Sequence, residues 1–300
     1  ADALGIPITW TVVDPYRLFQ GYGEDPRLAR PEPVDAPLLA VEADQWTEAA
    51  AHAPVLLTGF GGDAVLRETR SRLARLVLAG HPLRAAREAA VYARLHRRVP
   101  RPGIRTWLRL RGTRQGGTAQ IPPWISADFA HRVGLRERVA EQNAWTAPPH
   151  PTRPEAYEQL AAPLWPFLFN YQDPGVTRIA VEHRHPFFDV RLVRFLLSVP
   201  PAQWYNDKGV LRLGMRGLLP EAVLRRPKSP LPGDPLQVRR RRDGDGWLGG
   251  RTLGPEVEPY VDVARVPRAA GGRGADDGEP LWMQLRPLAL SLWLRGQDAG

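Results

Sequence analysis

The stretch PVLLTGFGGDAVL, residues 54–66, joins four apolar residues to a glycine cluster that ends in one carboxylate. This pattern predicts a short strand, a tight turn and the start of a helix. Glycine backbone N–H groups at the carboxyl edge of a sheet can surround an anion, and a carboxylate beside them can supply an oxygen ligand to Mg²⁺. The pattern also fits a plain tight turn whose aspartate caps the next helix. The candidate nucleotide-binding residues of this stretch are Thr58, Gly59, Gly61, Gly62 and Asp63.

Two later segments carry further candidates: VEHRHPFFDVRLVRFLLSVP at 181–200 and DKGVLRLGMRGLLPEAVLRRPKSPL at 207–231. Lys208 and Lys228 are the only lysines among the chain's 41 lysine and arginine residues. A chain that otherwise uses arginine keeps lysine where a compact point charge is needed. Lys208 and Arg212 are spaced i, i+4 on a predicted helix and face either phosphates or solvent.

In this order and spacing, the three segments resemble the synthetase domain of the asparagine synthetase family. Its motifs are a GEGGDE-like loop, then E-x-R-x-P-F-x-D, then K-x-x-L-R followed by L-P-x-x-[IV]-x-x-R-x-K. The resemblance covers most of residues 1–231. It implies an α/β fold, with an incomplete parallel sheet similar to that of adenine nucleotide α-hydrolases and a largely helical carboxyl-terminal half.

The resemblance also implies a reaction. Members of this family use ATP and Mg²⁺ to adenylate a carboxylate and release pyrophosphate, after which an amine attacks to form an amide and AMP. Asp63 would be the metal ligand. Lys228 occupies the place of a lysine that stabilises the charge building on pyrophosphate. Glu182 matches a glutamate that helps to deprotonate the amine in ring-closing relatives, and an ion pair with Arg184 or Arg191 is an equal alternative.

Other residues near these motifs have structural interpretations. Asp189 is placed to cap the helix that begins at Val190, and the preceding Pro-Phe-Phe segment is placed to anchor it. His183 and His185 suggest a metal site, but without a third ligand in view ordinary polar packing is favoured.

The chain departs from the family pattern at two places. Phe60 stands where asparagine synthetases have glutamate and β-lactam-forming relatives have tyrosine, and phenylalanine cannot exchange a proton. The S-G-G-x-D-S pyrophosphate loop that should precede residue 1 has no counterpart in these 300 residues. We therefore expect the chain to be the carboxyl-terminal part of a longer protein, or a broken copy, and to be inactive by itself.

Three functions remain open. Asparagine synthesis with glutamine hydrolysis is the family default, peptide macrolactam formation of the lasso-peptide cyclase type is the alternative that Phe60 favours, and a non-catalytic binding protein is the third. The expected partners are a carboxylate and an amine, from aspartate or a precursor peptide. A glutaminase or precursor-handling proteins would act in trans.

Composition excludes several classes of protein. The absence of cysteine rules out disulfides, thiolate metal sites and a glutaminase nucleophile within these 300 residues. The net charge of +9 comes without a basic stripe interleaved with aromatic residues, which favours general surface charge over nucleic-acid binding. No membrane-spanning run or signal peptide is visible, so the sequence predicts a cytoplasmic protein without nucleic-acid or membrane partners.

The elements that must position these residues follow from the hydrophobic pattern. It predicts strands at 6–14 and 55–58 around a helix at 38–52, and helical structure over 64–99 that is broken near 80–82. The further helices are predicted near 126–144, 155–172, 189–198 and 208–226. The organisation predicted is a synthetase-like domain at 1–231 lacking the pyrophosphate loop, an irregular segment at 232–278 and a docking helix at 279–296.

Overall fold

The computed structural model shows a mixed α/β chain that is mostly helical. It describes residues 4–66, 72–97, 99–100, 103–105, 108, 121–145, 150–200, 208–227, 233–248, 250–270 and 280–298. No helix among these residues combines the length and the apolar character that crossing a membrane requires.

The regular elements are mostly short. The strands are β1 (Val55–Leu57) and β2 (Glu182–Arg184). The helices before β2 are α1 (Leu39–His52), α2 (Gly62–Val65), α3 (Arg72–Leu78), α4 (Pro82–His96), α5 (Ala127–Arg132), α6 (Leu135–Ala144), α7 (Pro154–Leu160), α8 (Leu164–Tyr171) and α9 (Pro174–Thr177). The helices after β2 are α10 (Val190–Ser198), α11 (Gly209–Gly214), α12 (Glu221–Arg225), α13 (Pro235–Asp243), α14 (Leu281–Gln284) and α15 (Arg286–Asp298). Turns of 3₁₀ helix occur at Pro26–Leu28, Pro186–Phe188, Gly244–Leu248, Pro255–Val257, Val263–Arg265 and Arg268–Ala270.

The two strands form a parallel pair in which Leu56 lies opposite His183. The pairing continues past β1, where Thr58 N–H donates to the carbonyl of Arg184 at 2.9 Å. Parallel strands need a long crossover, and helices α2 to α9 supply it. The strand predicted over residues 6–14 is wrong, because this segment pairs with no described strand and leaves Ile8 and Trp10 exposed. The partner of β1 is instead β2, which is too short to show in the sequence the alternation of apolar and polar residues that marks a strand.

Glycine and proline divide the longer predicted helices. The predicted break near 80–82 is confirmed, because α3 ends at Leu78 and α4 begins at Pro82. The region predicted at 126–144 is split at Gly134, which adopts φ +58° before α6. Pro163 similarly separates α7 from α8, since a proline cannot donate the hydrogen bond that a continuous helix needs. The predicted cap is confirmed, because the Asp189 carboxylate accepts from the N–H of Arg191 at 2.9 Å.

Apolar packing forms two clusters around the strand pair and a third one in the carboxyl-terminal part. The first buries Leu39, Ala43 and Trp46 of α1 against Ile179 and Val181. The second joins α2 to α10. Its buried residues are Val65, Leu66 and Leu196. Both clusters therefore support the segments that flank the glycine turn.

The third cluster is centred on α14 and α15. Its buried residues include Leu281, Leu285 and Leu288, packed against Phe19 and Trp124. The segment predicted as irregular at 232–278 contains α13. Its four consecutive arginines make the apolar side of this helix hard to recognise in the sequence. The Asp234 carboxylate caps the helix by accepting from Leu236 N–H. Residues 249 and 271–279 of that segment lie outside the described part of the chain.

Candidate functional site

The glycine turn after β1 is shaped by the aromatic residues of the second motif. Gly61 adopts φ +80°, and a Cβ there would lie 2.6 Å from the Phe188 ring. A Cβ on Gly62 would lie 3.1 Å from Phe187. These two glycines are therefore needed for close packing against the Pro186–Phe188 turn, a role that the sequence alone did not indicate.

The outer part of the same turn is open. Gly59 is exposed, and no heavy atom lies within 4 Å of the position where its Cβ would be. The Gly59 carbonyl accepts from Gly62 N–H at 3.1 Å, which closes the turn. Of the three glycines predicted to approach a nucleotide, Gly59 is the one that faces open space.

Asp63 lies in the first turn of α2 and contacts the third motif. Its Oδ1 accepts from Lys208 Nζ at 2.6 Å, across 145 residues of sequence. The Asp63 side chain is 88% exposed, so this ion pair lies at the surface. Lys208 itself adopts φ +58°, which is uncommon for a residue with a side chain. The fold thus brings together a carboxylate and an ammonium group that the sequence placed in separate motifs.

Arg212 and Lys228, the two other candidate cations of the third motif, differ in what the structure shows of them. Arg212 on α11 donates to the carbonyls of Leu224 and of Arg226, the latter at 2.7 Å. These bonds connect α11 to the end of α12. Lys228 lies outside the described residues, and so its predicted approach to pyrophosphate stays a prediction.

Glu182 lies on the exposed side of β2. Both of its carboxylate oxygens accept from the Arg184 guanidinium, at 2.8 and 3.2 Å. The ion pair that the sequence left open is therefore present. These hydrogen bonds lower the pKa of Glu182 below its usual range. The contact makes the carboxylate a weaker base than a free glutamate.

The opposite side of the strand pair holds an aromatic stack around His185. Its ring lies between Phe60, with centroids 5.5 Å apart, and Phe169 of α8, at 4.7 Å. Its Nδ1 lies 2.6 Å from the hydroxyl oxygen of Thr58. Burial lowers the pKa of His185 below its usual value. Phe60, the residue that departs from the family pattern, is thus packed against a histidine.

His183 provides a contrast on the same side of β2. It packs edge-on against Trp46 at 5.1 Å, and burial lowers its pKa as well. The expectation of ordinary packing therefore describes His183, whereas His185 adjoins the glycine turn. The parallel register could have revealed Thr58 and His185 as neighbours, but only if β2 had been recognised as a strand.

A buried arginine joins α2, the helix that follows the glycine turn, to α10. Arg153, which is fully buried, donates to the carbonyls of Val65 at 2.6 Å and Leu196 at 3.2 Å. It thereby holds the last residue of α2 to α10. The sequence offered no signal for it, because Arg153 is one of many arginines in a chain that uses them everywhere.

The chemistry of these groups fits a nucleotide phosphate with its metal ion. An open glycine backbone at Gly59 lies in the same turn as a carboxylate, Asp63, and an ammonium, Lys208, is paired with that carboxylate. No group of three or more His, Cys, Asp or Glu side chains in the described ranges is arranged to hold a metal ion by itself. Mg²⁺ is commonly held by one or two carboxylates together with substrate phosphates, so Asp63 would hold it only together with those phosphates.

Comparisons with known proteins agree with these motifs. A family model described as asparagine synthase matches residues 28–295. Over 68 residues the chain is 41% identical to the protein named asparagine synthetase [glutamine-hydrolyzing] 3 of Bacillus subtilis (strain 168). That alignment covers 22% of this chain and only 11% of the relative's length. No solved structure matches the chain.

Proposed function

The chain belongs to the asparagine synthase family, and on that premise we propose that it carries the synthetase site of an ATP-dependent, amide-forming ligase. The reaction has two steps. A carboxylate attacks ATP to form an acyl-adenylate and release pyrophosphate, and an amine then displaces AMP to form the amide. The proposal includes the fold expected for such a site, in which the strand pair is part of a parallel sheet similar to that of adenine nucleotide α-hydrolases.

The contact between Asp63 and Lys208 carries the proposal. It joins the first motif to the third at 2.6 Å. An exposed surface ion pair adds little to stability, so its geometry is better explained by what it can bind. An arriving phosphate competes for the Lys208 ammonium, while Mg²⁺ competes for the Asp63 carboxylate. In this site Mg²⁺, when bound, neutralises phosphate charge.

The remaining residues take the roles that the family pattern suggests. Thr58 and Gly59 provide the rim of the turn, and Gly59 offers open backbone to the nucleotide. Lys228 stabilises the departing pyrophosphate. Arg212 holds α11, which begins directly after Lys208, through its bonds to α12. Glu182 is the family's candidate base, held here in an ion pair with Arg184.

The substrate distinguishes two versions of this proposal. Similarity to an asparagine synthetase supports aspartate as the carboxylate. Phe60 favours a peptide, since it stands where asparagine synthetases have a glutamate and packs on His185 instead of presenting a proton-exchanging group. Isotope exchange between pyrophosphate and ATP, measured on the complete gene product, separates them: aspartate dependence supports asparagine synthesis, and peptide dependence supports macrolactam formation.

Variants at the Asp63–Lys208 contact test the proposal directly. We expect Lys208→Met and Asp63→Asn each to lower carboxylate-dependent exchange by about 10²-fold or more, because each removes a charge that acts on the phosphates. Glu221→Gln is the matched control, since it breaks another exposed ion pair, with Arg225. Exchange should be unchanged in that control.

Two results would contradict the proposal. One is a complete gene product that binds no ATP–Mg²⁺ by calorimetry, which would favour a non-catalytic binding protein. The other is full exchange activity in both variants, which would remove the Asp63–Lys208 contact from the nucleotide site.

A further inference from the structure

We infer that His185 is the general base of this site, and that its Nε2 accepts the proton of the attacking amine as the amide bond forms. This inference rests on the proposed function, because only the amide-forming step requires a base there. It assigns a catalytic role to a residue that the family pattern leaves unspecified.

The chemistry of the second step requires a proton acceptor. The amine nitrogen forms a bond to the acyl carbon, and the bond from that carbon to the AMP oxygen breaks. The electron pair of the broken bond leaves with AMP, whose phosphate needs no proton to depart. The nitrogen must lose one proton, and the inference places that proton on Nε2 of His185.

The two positions that could provide a base by the family pattern are poorly suited to it. Phe60 has no group that exchanges a proton. The Glu182 carboxylate accepts two bonds from Arg184, and this contact lowers its pKa. Because a base is most effective when its pKa lies near the working pH, the lowered pKa makes Glu182 less suitable.

The geometry of His185 suits the role. Two stacked rings, those of Phe60 and Phe169, fix its plane, and Thr58 engages its Nδ1 at 2.6 Å. Its Nε2 makes no hydrogen bond to a described residue. The His185 side chain is also only half-buried, whereas both ring nitrogens of His183 are closed off from solvent. The ring therefore keeps one nitrogen positioned and available beside the glycine turn.

The protonation state also suits the role. Thr58 Oγ1 accepts from Phe60 N–H at 3.3 Å. Its second lone pair can accept a proton held on Nδ1, and the inference requires this tautomer, in which Nε2 is the basic nitrogen. Burial lowers the pKa of His185, which keeps the imidazole neutral at pH 7. Among the described residues, the two rings packed on the imidazole, those of Phe60 and Phe169, are not ionisable, and no charged group contributes to the shift of its pKa. On its own strand, the nearest ionisable side chain of the same side is His183.

The decisive experiment compares the two half-reactions in the complete gene product. His185→Phe keeps an aromatic ring between Phe60 and Phe169 and removes both nitrogens. Pyrophosphate–ATP exchange measures the first step, and amide formation measures the second. The substrates are aspartate with ammonium or hydroxylamine as the acceptor. A synthetic precursor peptide replaces them if pyrophosphate–ATP exchange depends on peptide and not on aspartate. His52→Gln, which changes an exposed histidine at the end of α1, is the control.

We expect His185→Phe to keep exchange within about twofold and to lower amide formation by about 10²-fold or more, with loss of the acidic limb of its pH profile. Amide formation at the wild-type rate and pH profile would overturn the inference. An equal loss of both steps would also overturn it, because His185 would then act by shaping the nucleotide site. A wild-type protein without any exchange would instead reject the proposed function itself.

The tautomer of His185 provides a second test, and its measurement on the wild-type protein needs neither a substrate nor a variant. Nitrogen-15 NMR of the wild-type imidazole should show the proton on Nδ1. Thr58→Val removes the acceptor and should shift the population toward the Nε2–H form. A wild-type ring that carries its neutral-state proton on Nε2 would overturn the inference.

Discussion

The two sides of the β1–β2 pair differ in what surrounds them. One side is covered by α1 and α8, whose Trp46 and Phe169 pack on His183 and His185. The other side is open among the described residues, with Leu57 68% exposed. Strand alternation sends neighbouring residues of β2 to opposite sides, so one short strand presents two different environments.

This difference sets the chemistry of the titratable groups. On the covered side, burial lowers the pKa of His185 and aromatic packing holds its ring. On the open side, hydrogen bonds from Arg184 lower the pKa of Glu182, and solvent screens the pair. Glu182, a motif residue on the open side, is thus loosely held, whereas His185, for which the sequence favoured ordinary polar packing, has fixed geometry on the covered side. The lesson is that packing, and not motif membership, decides which side chain is held in place.

The largest expected effect concerns the glycine that joins the turn to the covered side. Gly61→Ala should reduce the free energy of unfolding by roughly 2–5 kcal/mol, since it combines left-handed strain with overpacking against Phe188. Urea denaturation measures this loss. Gly59→Ala is the matched control, because its φ is not positive and its Cβ position is open. Equal losses in the two variants would mean that contact with Phe188 does not restrict the turn.

A smaller effect is expected when the stack on the covered side is opened. Phe60→Leu should reduce the free energy of unfolding by about 0.5–1.5 kcal/mol through loss of the ring contact with His185. It should also raise the pKa of His185 toward its ordinary 6.5, because part of the burial is lost. NMR titration of the imidazole measures the second change.

The pH dependence of stability follows from the same shift. Because folding lowers the pKa of His185, the unfolded chain binds more protons, and stability rises as the pH increases from the lowered value to 6.5. Phe60→Leu should reduce this rise. An unchanged pKa in the variant would show that Phe60 does not bury the imidazole.

The smallest effect is expected on the open side. Glu182→Gln should leave the urea midpoint unchanged, because its partner Arg184 and the carboxylate are both well exposed. Arg184→Gln should behave in the same way. A clear loss of stability in either variant would show that the open side is covered in the complete gene product, and the contrast between the two sides would then fail.

Sequence reasoning succeeded where the signal is local. Helix α1, the break before Pro82 and the Asp189 cap follow from residues within one or two turns of each other. The family also followed from three motifs in order. The strand predicted at 6–14 failed because a β-branched run describes one segment and says nothing about a partner strand, whereas strand pairing needs two segments.

Residue types and their order therefore established the family, the glycine turn and most helix positions, since short-range geometry encodes them. Only the folded chain showed that Gly61 and Gly62 accommodate Phe188 and Phe187, that Lys208 reaches Asp63, and that His185 lies against Thr58. These contacts join residues more than one hundred positions apart, and their existence depends on parallel register and on which helix covers which side. The register and the choice of covering helix cannot be predicted from any single stretch of sequence, because both arise from packing distant segments against one another.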